Sequence, residues 1–298
     1  MRLLPIAIVA LFCAAAPALA QHLRPDGLAK MPVPPPTLTQ AYGPDPLEFG
    51  QLRLPKGRGP FPLVVIIHGG CWTKGFADLN YMSPLAADLA TKGAATWNIE
   101  YRQIGDPGGG WPGTFQDWAA ATDHVRALAK AYPLDLNRVV VIGHSAGAHA
   151  ALWLAGRPRL PAHSPIRGSD PIVITANVAI DGPGDIAAFI GPDQQICGAP
   201  VIANLMGGLP DKVALRYVQG NPIQRLPSHV PATLISSVVL PPQAAEAYRA
   251  AAVARGDQVQ VLRVENAGHF DMLSPATPSG AATEALILKA ARLDRIGS

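Results

Sequence analysis

Five residues, Gly143-His144-Ser145-Ala146-Gly147, lie between a β-branched run, Val139-Val140-Val141-Ile142, and a helix-forming stretch that starts at Ala148. A serine hydroxyl attacks a carbonyl group only when it is held exposed beside a base. A tight strand-to-helix turn does this, and glycines two places to either side relieve the crowding. The next helix also offers unpaired N–H groups and a positive dipole end to a developing oxyanion. The spacing therefore nominates Ser145 as the nucleophile of an acyl transfer. A second group, His68-Gly69-Gly70-Cys71-Trp72, follows the apolar run Leu63–Ile67. Its glycines let backbone N–H groups face a substrate oxygen, so Gly69, Gly70 and Cys71, with Ala146, are the expected oxyanion donors. Trp72 and His144 flank these donors and are assigned to the substrate pocket, although elbow geometry turns the His144 ring away from it. His68 is expected to shape its loop through hydrogen bonds.

The third group is Asn266-Ala267-Gly268-His269-Phe270-Asp271, just past the last strand-like run. A loop histidine there can swing to the serine and accept its proton, so His269 is the expected general base. His149, on the first turns of the helix after the serine, is expected to pack or hydrogen-bond. His22, His163 and His229 lie in loops without a partner motif.

These motifs resemble the α/β-hydrolase superfamily, and the likeness extends over residues 47–297. The pairing of HGG-C-W with GHSAGAH is most similar to bacterial carboxylesterases of the hormone-sensitive-lipase, feruloyl-esterase-like and kynurenine-formamidase-like groups. Glu100-Tyr101-Arg102 matches the same group. The resemblance implies a mainly parallel, eight-stranded sheet flanked by helices, with a cap-like insertion after the sixth strand. It implies hydrolysis of a small carboxylic ester through an acyl-enzyme, with no cofactor or metal. An aryl-formamide amidase is the alternative enzyme. A binding protein that has lost turnover is the alternative from another class.

One departure from the family pattern motivates that last alternative. The family places its acid after the seventh strand, in a stretch of the form G-x-x-D-x-x-V-P. Here the stretch reads Leu234-Ile235-Ser236-Ser237-Val238-Val239-Leu240-Pro241-Pro242, without a carboxylate. Glu246 should sit on a helix facing solvent, and Asp271 is too close to His269 to orient its ring easily. The resemblance to pancreatic lipase implies another route, from the end of the preceding strand. That strand ends Ala179-Ile180-Asp181-Gly182-Pro183-Gly184-Asp185, which makes Asp181 the expected acid. Asp185 is the alternative, unless it caps a short helix near Ile186, and the absence of any functional acid stays open.

The elements that must carry these residues alternate. Strand-like runs at 63–67, 94–101, 138–143, 174–180, 233–239 and 259–264 alternate with helical patterns at 84–92, 114–132, 148–156, 242–255 and 282–295, as in a parallel sheet covered on both faces. Residues 182–230 interrupt this rhythm with Gly, Pro and polar residues, and read as a cap or as a long surface connection. Residues 21–46 read as a Pro-rich arm on the surface, and 47–298 as one hydrolase domain. The 298 residues are 49% hydrophobic and 15% charged, which suits a large core and excludes disorder.

Residues 1–20 carry Arg2, an apolar stretch and Ala18-Leu19-Ala20, the pattern of a signal peptide cleaved before Gln21. Periplasmic or secreted localisation follows, without stable membrane insertion after cleavage. The net charge of +3 is spread evenly, which gives nucleic-acid binding no support, and nothing indicates the oligomeric state. Cys71 and Cys197 then remain. One belongs to the oxyanion loop and the other to the 182–230 excursion, which leaves the same edge of the sheet. A disulfide between them is expected under oxidising conditions, with two buried free thiols as the alternative.

Overall fold

The computed structural model describes residues 22–293, so the expected signal peptide lies outside the described residues. Eight strands form one sheet: β1 (Leu38–Ala41), β2 (Phe49–Arg53), β3 (Phe61–Ile67), β4 (Ala95–Ile99), β5 (Leu134–His144), β6 (Ala176–Ile180), β7 (Ala232–Ser236) and β8 (Val259–Arg263). Their spatial order is β1-β2-β4-β3-β5-β6-β7-β8. The pairings β1–β2 and β2–β4 are antiparallel, and every later pairing is parallel. The helices are α1 (Pro25–Ala29), α2 (Ser83–Thr91), α3 (Gly113–Asp123), α4 (Val125–Leu128), α5 (Ala146–Gly156), α6 (Pro192–Cys197), α7 (Val201–Met206), α8 (Ala214–Gly220), α9 (Pro242–Val253) and α10 (Pro278–Ala290).

The central strands read as unbroken apolar runs because both their faces are covered. Val65 and Ile67 of β3, with Val139 and Val141 of β5, pack on the face that holds α3 and α5. Val64, Ile66, Val140 and Ile142 alternate with them and pack on the opposite face, against α2 and α10. Parallel pairing then brings the chemistry to one edge. Ile67 is opposite Gly143, His144 opposite Ile180, Ile180 opposite Ile235, and Ser236 opposite Arg263. The loops carrying Gly69, Ser145, Asp181 and His269 therefore all leave the sheet on the same side.

Three expectations change. The segment 21–46 is not a mere surface arm: it supplies edge strand β1 and helix α1, whose Leu28 is fully buried. Strand β5 starts earlier than its apolar run, because Leu134 pairs with Phe61 before a register irregularity at Pro62/Leu63. The expected helix 114–132 is divided at His124, whose ring stacks on Trp97. The excursion between β6 and β7 folds into α6, α7 and α8. Ile202, Leu205 and Met206 from it are fully buried in the same cluster as β3 and β5. Trp153 Nε1–H and His149 Nε2–H of α5 donate to the carbonyls of Gln219 and Gly220 at 2.9 and 2.8 Å, which ties the excursion to the main layer.

Cys71 and Cys197 are joined by a disulfide, with Cα atoms 5.9 Å apart at a sequence separation of 126. A link of that span removes unfolded-state entropy worth about 5 kcal/mol at most. Cys197→Ala is expected to lower unfolding stability by about 2–5 kcal/mol, read from urea denaturation of oxidised protein. A change below 1 kcal/mol would show that the bond does little to restrict the unfolded chain.

Candidate active site

Ser145 stands between β5 and α5 with φ 56° and ψ −119°, a conformation disfavoured for a residue with a side chain. Its neighbours explain why the turn needs glycines. A Cβ on Gly143 would lie 1.9 Å from the Gly147 carbonyl oxygen, and one on Gly147 would lie 2.1 Å from that of Ile67. The Ser145 N–H is anchored on the Ile180 carbonyl at 2.8 Å. The Ala146 N–H, in the first turn of α5, has no hydrogen-bond partner among the described residues.

The loop after β3 runs against this turn: a Cβ on Gly69 would come within 2.7 Å of the Ser145 Cβ. Gly70, Cys71 and Trp72 follow with φ 108°, 52° and 54°. The N–H groups of Gly70 and Cys71 have no partner among the described residues, whereas that of Gly69 donates to the Tyr81 hydroxyl. Gly69 is therefore removed from the expected oxyanion donors, because its hydrogen is already committed. Trp72 and His144 are corrected as well. They are 1% and 0% exposed and offer no surface to a ligand. The Trp72 indole N–H donates to His149 Nδ1 at 3.2 Å, and His144 Nε2 lies 2.9 Å from the His269 carbonyl oxygen.

His68 is buried, with Nε2 at 2.8 Å from Glu100 Oε1 and Nδ1 at 2.7 Å from the Gly69 carbonyl. Both ring nitrogens face acceptors, so both carry hydrogen. Burial opposes that charge, but the Glu100 carboxylate outweighs it and raises the His68 pKa. His68 thus holds the loop as a paired cation. Tyr101 O–H donates to its carbonyl, while Arg102 pairs with Asp117 and Glu48, which accounts for Glu100-Tyr101-Arg102.

His269 follows β8 and turns Nδ1 to Asp181 Oδ2 at 2.7 Å. Asp181 is fully buried at the end of β6. The stretch after β7 that lacks the usual acid supplies what this carboxylate needs. The N–H groups of Ser237, Val239 and Leu240 donate to Oδ1 at 3.0, 3.1 and 2.9 Å. Those of Val238 and Val239 reach Oδ2, each at 3.1 Å. Burial alone would raise the pKa of this carboxyl group, but the hydrogen bond and charge of His269, with these N–H donors, bring it below the ordinary value. Asp185 lies elsewhere. Its Oδ1 accepts from Ala187 and Ala188 N–H and from Asn221 Nδ2, fixing a turn and not a helix, and among the described residues no hydrogen bond or ion pair joins it to His269. No hydrogen bond joins Ser145 Oγ to His269 Nε2 among the described residues; such bonds often form only with substrate bound.

Two contributors escaped the sequence reading. Tyr81 bridges the Gly69 N–H and His144. Asp271 accepts from Gly268 N–H, Leu23 N–H and His22 Nδ1, each at 2.7 Å, and so fastens the N-terminal segment to the loop of His269. The only sequence signal for the second was the proximity of Asp271 to His269.

His149 gives the site region a pH signature. Burial pushes its pKa down to about 4, against the hydrogen bond to Gly220. In the unfolded chain the imidazole regains the ordinary 6.5, so the unfolded state binds the proton first. The stabilisation is complete above pH 6.5 and falls away as pH drops towards 4, by about 3 kcal/mol for this residue. His149→Gln is expected to flatten the pH dependence of unfolding free energy by close to one proton between pH 7 and 4.5. An unchanged slope would show that His149 is not the group responsible.

The sheet order, with the serine elbow between β5 and α5, defines an α/β-hydrolase. The model of the BD-FAE family matches residues 51–238. The chain belongs to that family, whose members are hydrolases of the carboxylesterase type. Esterase B of Lactobacillus rhamnosis, solved in an inhibited form, superposes with a TM-score of 0.73 at 21% identity, covering 91% of this chain and 92% of that one. Esterase 2 of Thermogutta terrifontis, solved with butyrate bound, superposes at 0.68 and 18% identity, covering 87% and 94%. The bifunctional GH43-CE protein of Bacteroides eggerthii gives 0.69 at 23% identity, covering 85% of this chain, which spans only 37% of that protein. At such identities the likeness shows a shared fold. No curated protein matches the chain.

Proposed function

We propose that this chain is an exported serine hydrolase that cleaves small carboxylic esters at Ser145. The observation that carries the reading is the Asp181 carboxylate on His269 Nδ1, at the sheet edge where the elbow presents Ser145. Ser145 Oγ attacks the ester carbonyl as its proton passes to His269 Nε2. The oxyanion is held by the N–H groups of Gly70, Cys71 and Ala146. His269 returns the proton to the departing alcohol, leaving an acyl-serine, and then draws a proton from water to release the acid. Asp181 keeps the ring in the required tautomer and stabilises the imidazolium.

A cavity of about 250 Å³, lined by Phe189, Ile196, Ile223, Val238, Leu240 and Tyr248, lies beside the turn that holds Asp181, and neither Ser145 nor His269 is among its lining residues. Val238 in its lining donates its backbone N–H to Asp181. The butyrate-bound and inhibited esterases of the same fold support the ester class. Export rests on residues 1–20 and is favoured by the disulfide. Among the described residues, no helix is long and apolar enough to cross a membrane.

A fluorophosphonate probe is expected to label the wild-type protein once, at Ser145, and to leave Ser145→Ala unlabelled. A screen of acetate, butyrate and long-chain esters beside aryl formamides should show turnover of the short esters. Absence of labelling in folded wild-type protein would overturn the reading, and selective formamide turnover would move it to the amidase.

A further inference from the structure

Tyr81 and His144 are buried, carry no role in the proposed chemistry, and sit between the two loops that do. The Gly69 N–H donates to the Tyr81 hydroxyl. Tyr81 Oη and His144 Nδ1 are 3.0 Å apart, and His144 Nε2 lies 2.9 Å from the carbonyl oxygen of His269. With the His144 ring neutral, as its burial favours, only one assignment of hydrogens satisfies all three contacts. The His269 carbonyl can only accept, so His144 Nε2 carries the proton. In a neutral ring protonated on Nε2, Nδ1 has only a lone pair, so the Tyr81 hydroxyl, which accepts from Gly69, donates its single hydrogen to it. The polarity then runs one way, from the oxyanion loop through two side chains to the backbone of the general base. Burial and the nearby His269 push the His144 pKa well down, which keeps the ring in the neutral form this chain needs.

We infer that Tyr81 and His144 are positioning residues that set the distance between the oxyanion donors and His269. The inference rests on the proposed roles of Ser145 and His269. Gly69 immediately precedes Gly70 and Cys71, so a shift at Gly69 moves both donors. The other end holds the carbonyl of His269 itself. The rings pack as a unit, with Tyr81 and His144 edge-on or tilted against Phe270 at centroid distances of 5.7 and 5.1 Å, and His144 against His269 at 4.2 Å. Loops from opposite sides of the nucleophile are thereby held by one buried link. Misplacing a reacting group by about 1 Å can cost on the order of 100-fold in rate.

The test compares Tyr81→Phe, His144→Leu and His144→Gln in kcat, KM and the rate of fluorophosphonate labelling, measured well below each variant's Tm. Tyr81→Phe keeps the ring and deletes the hydroxyl. It is expected to lower kcat and the labelling rate together by about 10- to 100-fold, with KM within about threefold of wild type. His144→Leu should do the same. His144→Gln can accept from Tyr81 and donate to the His269 carbonyl, and should recover most of the loss. If the residues only stabilise the core, the variants lower Tm while kcat and labelling stay at wild-type values. That result, or equal losses in the Leu and Gln variants, would overturn the inference. Should Tyr81→Phe fail to fold, the Leu–Gln comparison at 144 decides alone. Wild-type labelling at Ser145 is the separate control for the underlying reaction.

Discussion

Ser145→Ala is expected to lower kcat for a short ester by about six orders of magnitude, and His269→Ala by a similar factor, with the fold retained. The two losses should not multiply. Nucleophile and base act as one unit, since the hydroxyl is a poor nucleophile without the base and the base has nothing to activate without the hydroxyl. The double variant should therefore be about as slow as either single one. Residual turnover of roughly 10³–10⁴ over water would come from the N–H groups of Gly70, Cys71 and Ala146 together with binding. The fold should survive because Ser145 is held by its backbone, through the Ile180 carbonyl and the bracketing glycines. The His269 ring is partly exposed, and its bond through Nδ1 to the buried Asp181 is its one side-chain hydrogen bond among the described residues. Kinetics of the three purified variants, with circular dichroism as the control for folding, make the measurement. Wild-type turnover in either single variant would remove the mechanism. A multiplicative loss in the double variant would mean that the two residues serve separate steps.

How much of this was legible in the sequence depended on the range of the interaction. Val139–Ile142 and Leu63–Ile67 read as strands because a sheet buried on both faces demands continuous apolar residues. The serine elbow could be read because its glycines answer to a local backbone clash. Asp181 could be reached by position, at the end of the strand next to the nucleophile. Its five N–H bonds could not, because they join position 181 to residues 237–240 through the pairing of β6 with β7. Gly69 was wrongly counted as a free donor for the same reason: its partner Tyr81 belongs to the segment before α2. The arm was misread because β1 is an edge strand of half-buried and exposed residues, Leu38-Thr39-Gln40-Ala41, whose weak pattern is completed only by pairing with β2. The link from His22 and Leu23 to Asp271 spans nearly the whole chain and leaves no local trace.

Asp181→Asn separates the two carboxylates at the end of β6 more sharply than any other change. In the wild-type protein the carboxylate accepts from His269 and from four backbone N–H groups, and it has no hydrogen of its own to place. Asparagine keeps the shape but turns one acceptor oxygen into a donating amide. If the amide nitrogen faces His269, it donates to Nδ1, moves the ring hydrogen to Nε2 and leaves no lone pair for the serine proton. If it faces the turn after β7, it meets N–H groups that also donate. The turn offers donors to both oxygens, so relief by rotating the side chain is incomplete. The wrong tautomer in such triads costs about 10⁴ in kcat, and that loss is expected here. A stability loss of about 1–3 kcal/mol should accompany it, from N–H groups left without an acceptor. Asp185→Asn should behave differently, because that side chain braces a turn and touches no part of the proposed triad. Its kcat should stay within about tenfold of wild type, since only indirect displacement of the site is available to it. Steady-state kinetics of both variants on one short ester, with urea denaturation alongside, decide the assignment. Equal and mild losses from both would mean that another acid, or none, serves His269.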